Sequence, residues 1–260
     1  MKKILFVLLF AASTSLFAAA DALKPIKALM ITGGGFHDYE LQKKTLSDGI
    51  SARMNIEWTI LHEGTTREHK HSAYANPDWA KGYDVIVHNE CFGTVAEPDF
   101  VARVAAPHKA GIPAVILHAT VHSYRFVEGD AWREILGIKS MSHEAARDFL
   151  VKSLKTNHPV MRGFPDEWAD SKDELYKVEK TWESVTPLAK AFGTETQKDH
   201  VVIWLNTVGK TRVFATTLGH SDATMKTDVY LDLVTRGILW SVGKLGDDGK
   251  PLPGYERQGK

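Results

Sequence analysis

Short apolar runs alternate with amphipathic segments between residues 25 and 120. Two of these segments, 41–54 and 98–110, have the spacing of amphipathic helices. The apolar runs lie at 24–32, 56–61, 83–88 and 113–117. Because they are continuously apolar rather than alternating, they are typical of strands that are covered on both faces of a sheet. The pattern therefore predicts an α/β fold, a mostly parallel sheet with helices on both faces.

The pattern changes between about residues 125 and 200. This part is polar and rich in Trp and Glu, and its apolar runs at 148–154 and 188–192 are short and β-like. We predict that it forms a β-rich insertion or cap on the sheet.

Buried runs return after this segment. They lie at 200–205 and 212–218, and a helical pattern at 227–242 closes the series. No linker marks a domain boundary, so residues 21–245 are predicted to form a single domain. Residues 246–260 are predicted to form a C-terminal tail.

The first twenty residues have the order of a secretory signal peptide. Two lysines at the start are followed by an apolar run at 4–10, and Ala18 and Ala20 give the small-residue pattern before a cleavage site. The apolar run is far shorter than the roughly 20 residues that span a bilayer. We therefore expect a signal peptide at 1–20, a periplasmic or secreted location, and no membrane contact after cleavage.

The overall composition is that of a folded globular protein. Of 260 residues, 43% are hydrophobic and 25% are charged, and 32 basic side chains balance 32 acidic ones. These values argue against a disordered chain. They also argue against a nucleic-acid partner, since the chain carries no net positive charge. The single cysteine, Cys91, excludes an intramolecular disulfide and any multi-cysteine metal site. Neither length nor composition decides the oligomeric state.

Residues that carry chemistry follow the predicted strands directly. In open α/β sheets, ligands bind beyond the carboxyl ends of the strands. Three of the twelve histidines, His37, His118 and His220, lie at such ends. Their polar or glycine neighbours there are Gly34, Asp38, Asn89, Glu90 and Asp222. We expect the three imidazoles to converge, and the glycines at 33–35 to form either a tight turn or a backbone approach to a ligand.

The strand that ends at His118 resembles the strand that leads to the catalytic cysteine of glutamine amidotransferase-like domains. In those domains a later strand ends in a histidine that is followed two residues on by an acid, as His220 is by Asp222. Because an imidazole at this elbow cannot form a thioester, amidotransferase activity is not expected. Acid–base work, metal ligation and electrophilic polarisation remain open. A hydrolase with Cys91 as nucleophile is less favoured, because Cys91 follows the third strand rather than the fourth.

Seven short motifs follow one another in a recognisable order. They are TGG at 32–34 with HD at 37–38, ILHA at 116–119, NHPV at 157–160, DELY at 173–176, VIW at 202–204, LGH at 218–220 after 209–214, and GILW at 237–240. Together, over roughly residues 26–243, they resemble the ThuA-like, or trehalose-utilisation, family. The resemblance implies a flavodoxin-related, class I glutamine amidotransferase-like fold. It also implies a link to the catabolism of disaccharides or 3-keto sugars.

These observations favour an exported carbohydrate-processing enzyme, a hydrolase, lyase or isomerase that acts on a glycoside or keto-sugar derivative. His118 and His220 would be its catalytic acid–base groups, and Asp222 would orient His220. His37, His118 and His220 would also suit a divalent metal such as zinc, although no H-E-x-x-H signature is present. The substrate-binding candidates are Gly34, His37, Asp38, Asn89, Glu174 and Trp204. The alternative is a non-catalytic periplasmic protein that binds sugar or serves as an accessory.

Other histidines have structural interpretations that are at least as good as functional ones. His88 ends a buried strand and is expected in the core. His158 lies in an Asn-His-Pro turn, for which a structural role is favoured. His69 and His71 lie in a polar loop that is expected to be solvated.

Two further positions stay open. Asp173 and Glu174 are adjacent, and successive side chains of a strand point to opposite faces, so at most one of them faces a site. His143 resembles a histidine of the ThuA-like family, but the flanking residues 137–139 depart from the family pattern.

Overall fold

The structure, a computed structural model, describes residues 25–154 and 157–257 of the chain. The predicted signal peptide at 1–20 lies outside these residues. The strands and helices follow in the order β1 (Ile26–Gly34), α1 (Tyr39–Ser51), β2 (Ile56–His62), β3 (Val85–Cys91), α2 (Pro98–Lys109), β4 (Ala114–Leu117), α3 (Ala131–Leu136), β5 (Ile138–His143), β6 (Arg147–Ser153), β7 (Glu167–Asp173), β8 (Tyr176–Thr181), β9 (Thr186–Gly193), β10 (Lys198–Val208), β11 (Thr211–Thr216), α4 (Asp222–Met225) and α5 (Asp228–Ser241).

A mixed sheet forms the centre of the molecule. Within the described residues it has nine strands in the order β2-β1-β3-β4-β11-β10-β9-β6-β7. The first five of these strands run parallel to one another, with Ile31 of β1 opposite His88 of β3. The carboxyl ends of the five parallel strands therefore share one edge of the sheet, where the predicted chemistry lies.

Helices cover both faces of the parallel half. On one face, α1 and α5 bury Leu46, Ile50 and Leu233 against Met30 of β1. On the other face, α2 and α3 bury side chains such as Val104 against Ile31 and its neighbours. Odd and even positions of each strand thus face different helices, which explains why the strands read as continuous apolar runs. The predicted α/β fold class is confirmed.

The segment between residues 125 and 200 is β-rich, as predicted, but it extends the sheet rather than forming only a cap over it. Strand β9 pairs antiparallel with β10, β6 pairs with β9, and β7 pairs with β6. The reason is that β10 would otherwise present an unpaired edge of backbone N–H and C=O groups. The remaining strands of the segment, β5 and β8, form a separate two-stranded sheet.

The described part of the C-terminal segment lies against the body of the protein. The backbone N–H of Asn55 donates to the carbonyl of Tyr255 over 2.9 Å, and Met54 forms a β-bridge with Glu256. The residues up to 257 are therefore attached at the amino end of β2. Over the described residues, no helix is both long and apolar enough to cross a membrane.

Candidate functional site

Three histidines meet at the carboxyl edge of the parallel strands. His37 lies just beyond β1, His118 directly follows β4, and His220 follows β11. The ring centroid of His37 lies 4.9 Å from that of His118 and 5.2 Å from that of His220. One nitrogen from each ring lies within 4.8 Å of the other two. The topology thus brings together the three imidazoles that the sequence places at separate strand ends.

His118 is buried and presents one bare nitrogen to this cluster. Its backbone is left-handed, with φ of +39°, so the chain turns sharply as it leaves β4. Its Nδ1 lies 2.6 Å from the carbonyl oxygen of Thr217, and because a carbonyl only accepts, Nδ1 carries the proton. Its Nε2 has no hydrogen-bond partner among the described residues. Burial lowers the pKa of His118 to about 4, so the ring is neutral near pH 7.

His37 and His220 differ in their charge state. Burial, followed by the neighbouring His118 and His220, lowers the pKa of His37 to about 3. His220 behaves in the opposite way: the adjacent carboxylate of Glu174 raises its pKa above the ordinary value of 6.5. The Nδ1 of His220 lies 3.4 Å from Glu174 Oε2. The cluster therefore holds two neutral imidazoles and one that favours the protonated form.

Glu174 is the carboxylate of this site. Its oxygens lie 3.8 Å from His118 Nε2 and 3.6 Å from His143 Nδ1, besides the contact with His220. Burial opposes its ionisation, but these histidines outweigh that effect and keep the pKa of Glu174 below 4.5. Asp222 was predicted to orient His220, but it makes no hydrogen bond with that ring among the described residues and instead begins α4. Glu174 takes the orienting position.

A buried pair of carboxyl groups holds the loop that carries His220. Asp173 accepts the backbone N–H groups of Gly219 at 2.7 Å and His220 at 3.2 Å. It also accepts the N–H of Glu174 at 2.6 Å, so it turns inward while Glu174 faces the site. Behind it, burial and then the charge of Asp173 raise the pKa of Asp170 to about 8. Asp170 Oδ2 has no hydrogen-bond partner among the described residues.

The histidine cluster opens into a cleft of roughly 310 Å³, a volume at the lower end of small-molecule sites. It is lined by Phe36, His37, Arg67, Cys91, Gly93, Ala119, His122, Arg125, His143, Glu174, Tyr176 and His220. The rings of His122 and Tyr176 stack at 3.9 Å and form one wall. Burial raises the pKa of the Cys91 thiol to about 11. A thiol that stays protonated is a poor nucleophile, so Cys91 does not suit the hydrolase role.

Several predicted substrate-binding residues have structural contacts instead. Trp204 is completely buried in the core, and its indole N–H donates to the carbonyl of Leu136 over 2.7 Å, so it does not reach the cleft. Asn89 is buried and donates to Gln42 Oε1. Asp38 accepts the N–H of Leu41 and caps α1.

Gly34 also has a structural contact. A Cβ at Gly34 would lie 2.3 Å from the carbonyl oxygen of Cys91, so the glycine permits β1 and β3 to approach closely. Of the six predicted substrate-binding residues, His37 and Glu174 line the cleft.

Sequence reasoning missed the residues that reach the cleft from loops. Arg67 and Arg125 lie in loops whose path the strand pattern does not predict, and Phe36, next to His37 at the end of β1, was not among the predicted site residues. His122 is close to His118 in sequence and ends the short 3₁₀ turn that His118 begins.

The other histidines mainly have structural partners. His88 Nε2 lies 3.0 Å from His108 Nε2, and His108 Nδ1 lies 2.8 Å from the carbonyl oxygen of Ile112. At the other end of this network, Glu90 accepts the hydroxyl groups of Tyr74 and Tyr124. His88 is therefore a core residue, as its position after a buried run indicates.

Two loop histidines complete the set. His71 was expected in a solvated loop, but it is buried and contacts the carbonyl of Leu61 at 3.2 Å. His158 accepts the N–H of Val160 and caps a short 3₁₀ turn, which is a structural role.

Comparisons with known proteins agree with this architecture. Residues 27–241 match the ThuA family, described as trehalose utilisation. A ThuA-like protein from Parabacteroides merdae is similar in structure, with a TM-score of 0.68 and 18% identity over 90% of this chain and 98% of that one. A protein from Thermoplasma acidophilum that is described as part of a GMP synthase has a TM-score of 0.51 and 10% identity, over 84% and 94%.

One further structural relative belongs to a much longer chain. A β-galactosidase from Rahnella sp. R3 has a TM-score of 0.51 and 14% identity, over 86% of this chain and 32% of that one. At these identities the structural likenesses show the fold, which is glutamine amidotransferase-like. A search among curated proteins found no match to the sequence.

Proposed function

Since the chain belongs to the ThuA, or trehalose-utilisation, family, we propose that it is a carbohydrate-processing enzyme that acts on a keto sugar or the keto derivative of a glycoside. It would move a proton at the carbon beside the keto group. We place this activity outside the cytoplasm, because residues 1–20 have the pattern of a signal peptide. The site at the carboxyl edge of the sheet would carry the reaction, with a divalent metal ion held by His37, His118 and His220.

The observation that carries the proposal is the bare Nε2 of His118. A buried polar atom without a partner costs free energy, and this nitrogen belongs to a group of three imidazoles that could hold a metal ion, so it supports a ligand there. The carbonyl of Thr217 fixes the tautomer of His118, and Glu174 contacts Nδ1 of His220. Metal-binding histidines are commonly held in this way, with the second ring nitrogen on a carbonyl or carboxylate.

The pKa values of two of the imidazoles suit them to metal binding. With pKa values of about 3 and about 4, His37 and His118 are neutral at pH 7. The neutral imidazole is the form that binds a metal. Zinc or a similar ion would supply a Lewis acid that polarises a carbonyl oxygen.

Glu174 is the group that would accept a proton. It is a carboxylate beside both His118 and His220, and it is mostly shielded from water. A desolvated carboxylate next to a bound sugar can take a proton from the carbon beside a carbonyl. Its neighbour His143 is a third contact of the same carboxylate and opens to the cleft. Proton transfer would thus pass through Glu174, while His37, His118 and His220 hold the metal.

The first test is the metal content of the purified, untagged protein after dialysis, beside the His118→Ala variant. We expect near-stoichiometric divalent metal in the wild type and its loss in the variant, because His118 is the most buried of the three proposed ligands. His62→Asn is the matched control, since His62 lies on β2 and pairs with Glu40 outside the cluster. It should retain the metal.

Turnover of keto sugars with and without a chelator completes this test. An enzyme should lose turnover with the metal, whereas a sugar-binding accessory protein would bind sugar and form no product. Equal, low metal content in the wild type and His118→Ala would exclude the metal-assisted form of the proposal.

A further inference from the structure

The cleft contains two arginines that the histidine cluster does not use. Arg67 and Arg125 both line it, and neither makes an ion pair with Glu174 among the described residues. Glu174 is the carboxylate among the lining residues, and its contacts are with histidines. The cleft therefore has an excess of positive charge, although basic and acidic residues balance over the whole chain.

The guanidinium of Arg67 is held in place but retains free donors. It lies over the ring of Phe36, 5.2 Å from the ring centroid, and its stem packs against Gly35. Its closest acidic atom is Glu68 Oε1, 3.9 Å from Nε. Phe36 itself is 75% exposed and has a left-handed φ of +83°, which is unusual for an aromatic residue. Such strain is typical of positions that a function requires.

Arg125 approaches from another loop in the same manner. Its guanidinium carbon lies 5.1 Å from the ring centroid of Phe126, and its Nη1 makes a long contact of 3.4 Å with the carbonyl of Met141. The Nε of Arg125 is buried and has no partner among the described residues. Arg67 and Arg125 both line the same cleft, together with Cys91.

We propose that the sugar bound in this cleft carries an anionic group, a carboxylate or a phosphate ester, which Arg67 and Arg125 bind. Guanidinium groups with free N–H donors match the oxygens of either anion. Phe36, at the mouth, offers a flat apolar face to the sugar ring beside that group. This inference rests on the proposed carbohydrate site and names the substrate class more narrowly.

The test compares three sugars that differ in charge: methyl glucoside, methyl glucuronide and glucose 6-phosphate. Calorimetric titration of the protein as purified should show at least about tenfold tighter binding of a charged sugar, the order expected from a hydrogen bond to an ionised group. The preference should be lost in Arg125→Gln and in Arg67→Gln while binding of the methyl glucoside is retained. The stronger of the two charged ligands shows whether the carboxylate or the phosphate ester is the natural group.

Arg212→Gln is the matched control. Arg212 also lies over an aromatic ring, 5.4 Å from the centroid of Trp240, but it does not line the cleft. This variant should keep the full preference for the charged sugar. Adding salt should weaken the preference in the wild type, since the guanidinium groups are partly exposed.

Three results would overturn the inference. Equal binding of charged and neutral sugars would remove the anion preference and leave the carbohydrate site in place. A preference that persists in both cleft variants would assign it to other residues. Absence of binding by all three sugars would exclude anionic sugars as the substrate class. Failure of the proposed metal-dependent reaction would be seen separately, in the metal content of the protein and in its sensitivity to a chelator.

Discussion

Single residues determine the chemistry of this site through the hydrogen bonds they receive. His118 offers a lone pair because a carbonyl occupies its other nitrogen, and Glu174 is ionised because histidines surround it. Asp173 is fixed by three backbone N–H donors and, through them, fixes the turn that carries His220. The charge state or position of each functional group is thus set by the groups packed beside it.

The buried Asp170 makes a prediction for pH dependence. Its pKa is raised from 3.8 in an unfolded chain to about 8 in the folded protein, so the folded state binds the proton more tightly. The stabilisation from this proton is fully present below the unfolded pKa and is lost as the pH rises through about 8. Asp170→Asn cannot titrate and should lack this loss.

Urea unfolding of the wild type and Asp170→Asn checks this prediction between about pH 7 and pH 9, above the range in which histidines of the unfolded chain titrate. The free energy of unfolding of the wild type should fall relative to that of the variant and then level off. Parallel curves over this range would show that Asp170 does not hold the proton.

The histidines of the site were accessible to sequence reasoning, whereas its arginines were not. His37, His118 and His220 directly follow strands, and parallel strands end at one edge, so their convergence could be inferred from order alone. Arg67 and Arg125 reach the same cleft from loops after β2 and β4. The path of a loop depends on tertiary contacts such as the cation–π pair of Arg67 with Phe36, which no local pattern encodes.

Among the elements, the turn from β1 to α1 has the tightest steric requirement. Gly34 has φ of +104° and lies against the backbone of Cys91. Gly111, after α2, has a similar φ of +118°, but no atom lies within 4 Å of the place that a Cβ would take there. Alanine substitutions at Gly34 and Gly111 therefore separate the cost of backbone strain from the cost of a close contact.

We expect Gly34→Ala to destabilise the protein by about 1 to 3 kcal/mol more than Gly111→Ala, because overpacking adds to the strain that both share. Denaturant unfolding of the two variants measures the difference. Equal losses in the two variants would mean that β1 and β3 can separate at little cost.

The antiparallel strands show where a local pattern stops being informative. Apolar runs at 148–154 and 188–192 predicted β structure, and β6 and β9 lie there. Their partners could not be inferred, because a strand pattern does not say which edge it joins. Strand β9 pairs with the free edge of β10, and β6 pairs with β9, so the predicted insertion extends the sheet.

At the scale of the whole molecule, the C-terminal segment closes the end of the sheet opposite the site. Tyr255 packs against the core cluster, and the ammonium of Lys244 lies 4.9 Å from its ring centroid. Residues 246–260 were predicted as a C-terminal tail beyond the domain. One aromatic side chain and a few backbone hydrogen bonds suffice to attach it.

Tyr255→Ala should lower the free energy of unfolding by about 1 to 2 kcal/mol, since a half-buried aromatic ring loses part of its apolar contact. Leu252→Ala, an exposed change in the same segment, should stay within about 0.5 kcal/mol of the wild type. Thermal unfolding of both variants tests this. Equal effects would show that the segment contributes no packing.

The hydrogen bonds that join the buried residues His88, His108 and Ile112 have a defined donor and acceptor at each step. The carbonyl of Ile112 can only accept, so Nδ1 of His108 donates to it. Since burial keeps His108 neutral, its Nε2 must accept a proton from Nε2 of His88. On its other side, Nδ1 of His88 lies 3.3 Å from Oε1 of Glu90 and 3.4 Å from the hydroxyl of Tyr74. The two hydrogen bonds that run from His88 through His108 to Ile112 therefore point the same way, away from Glu90.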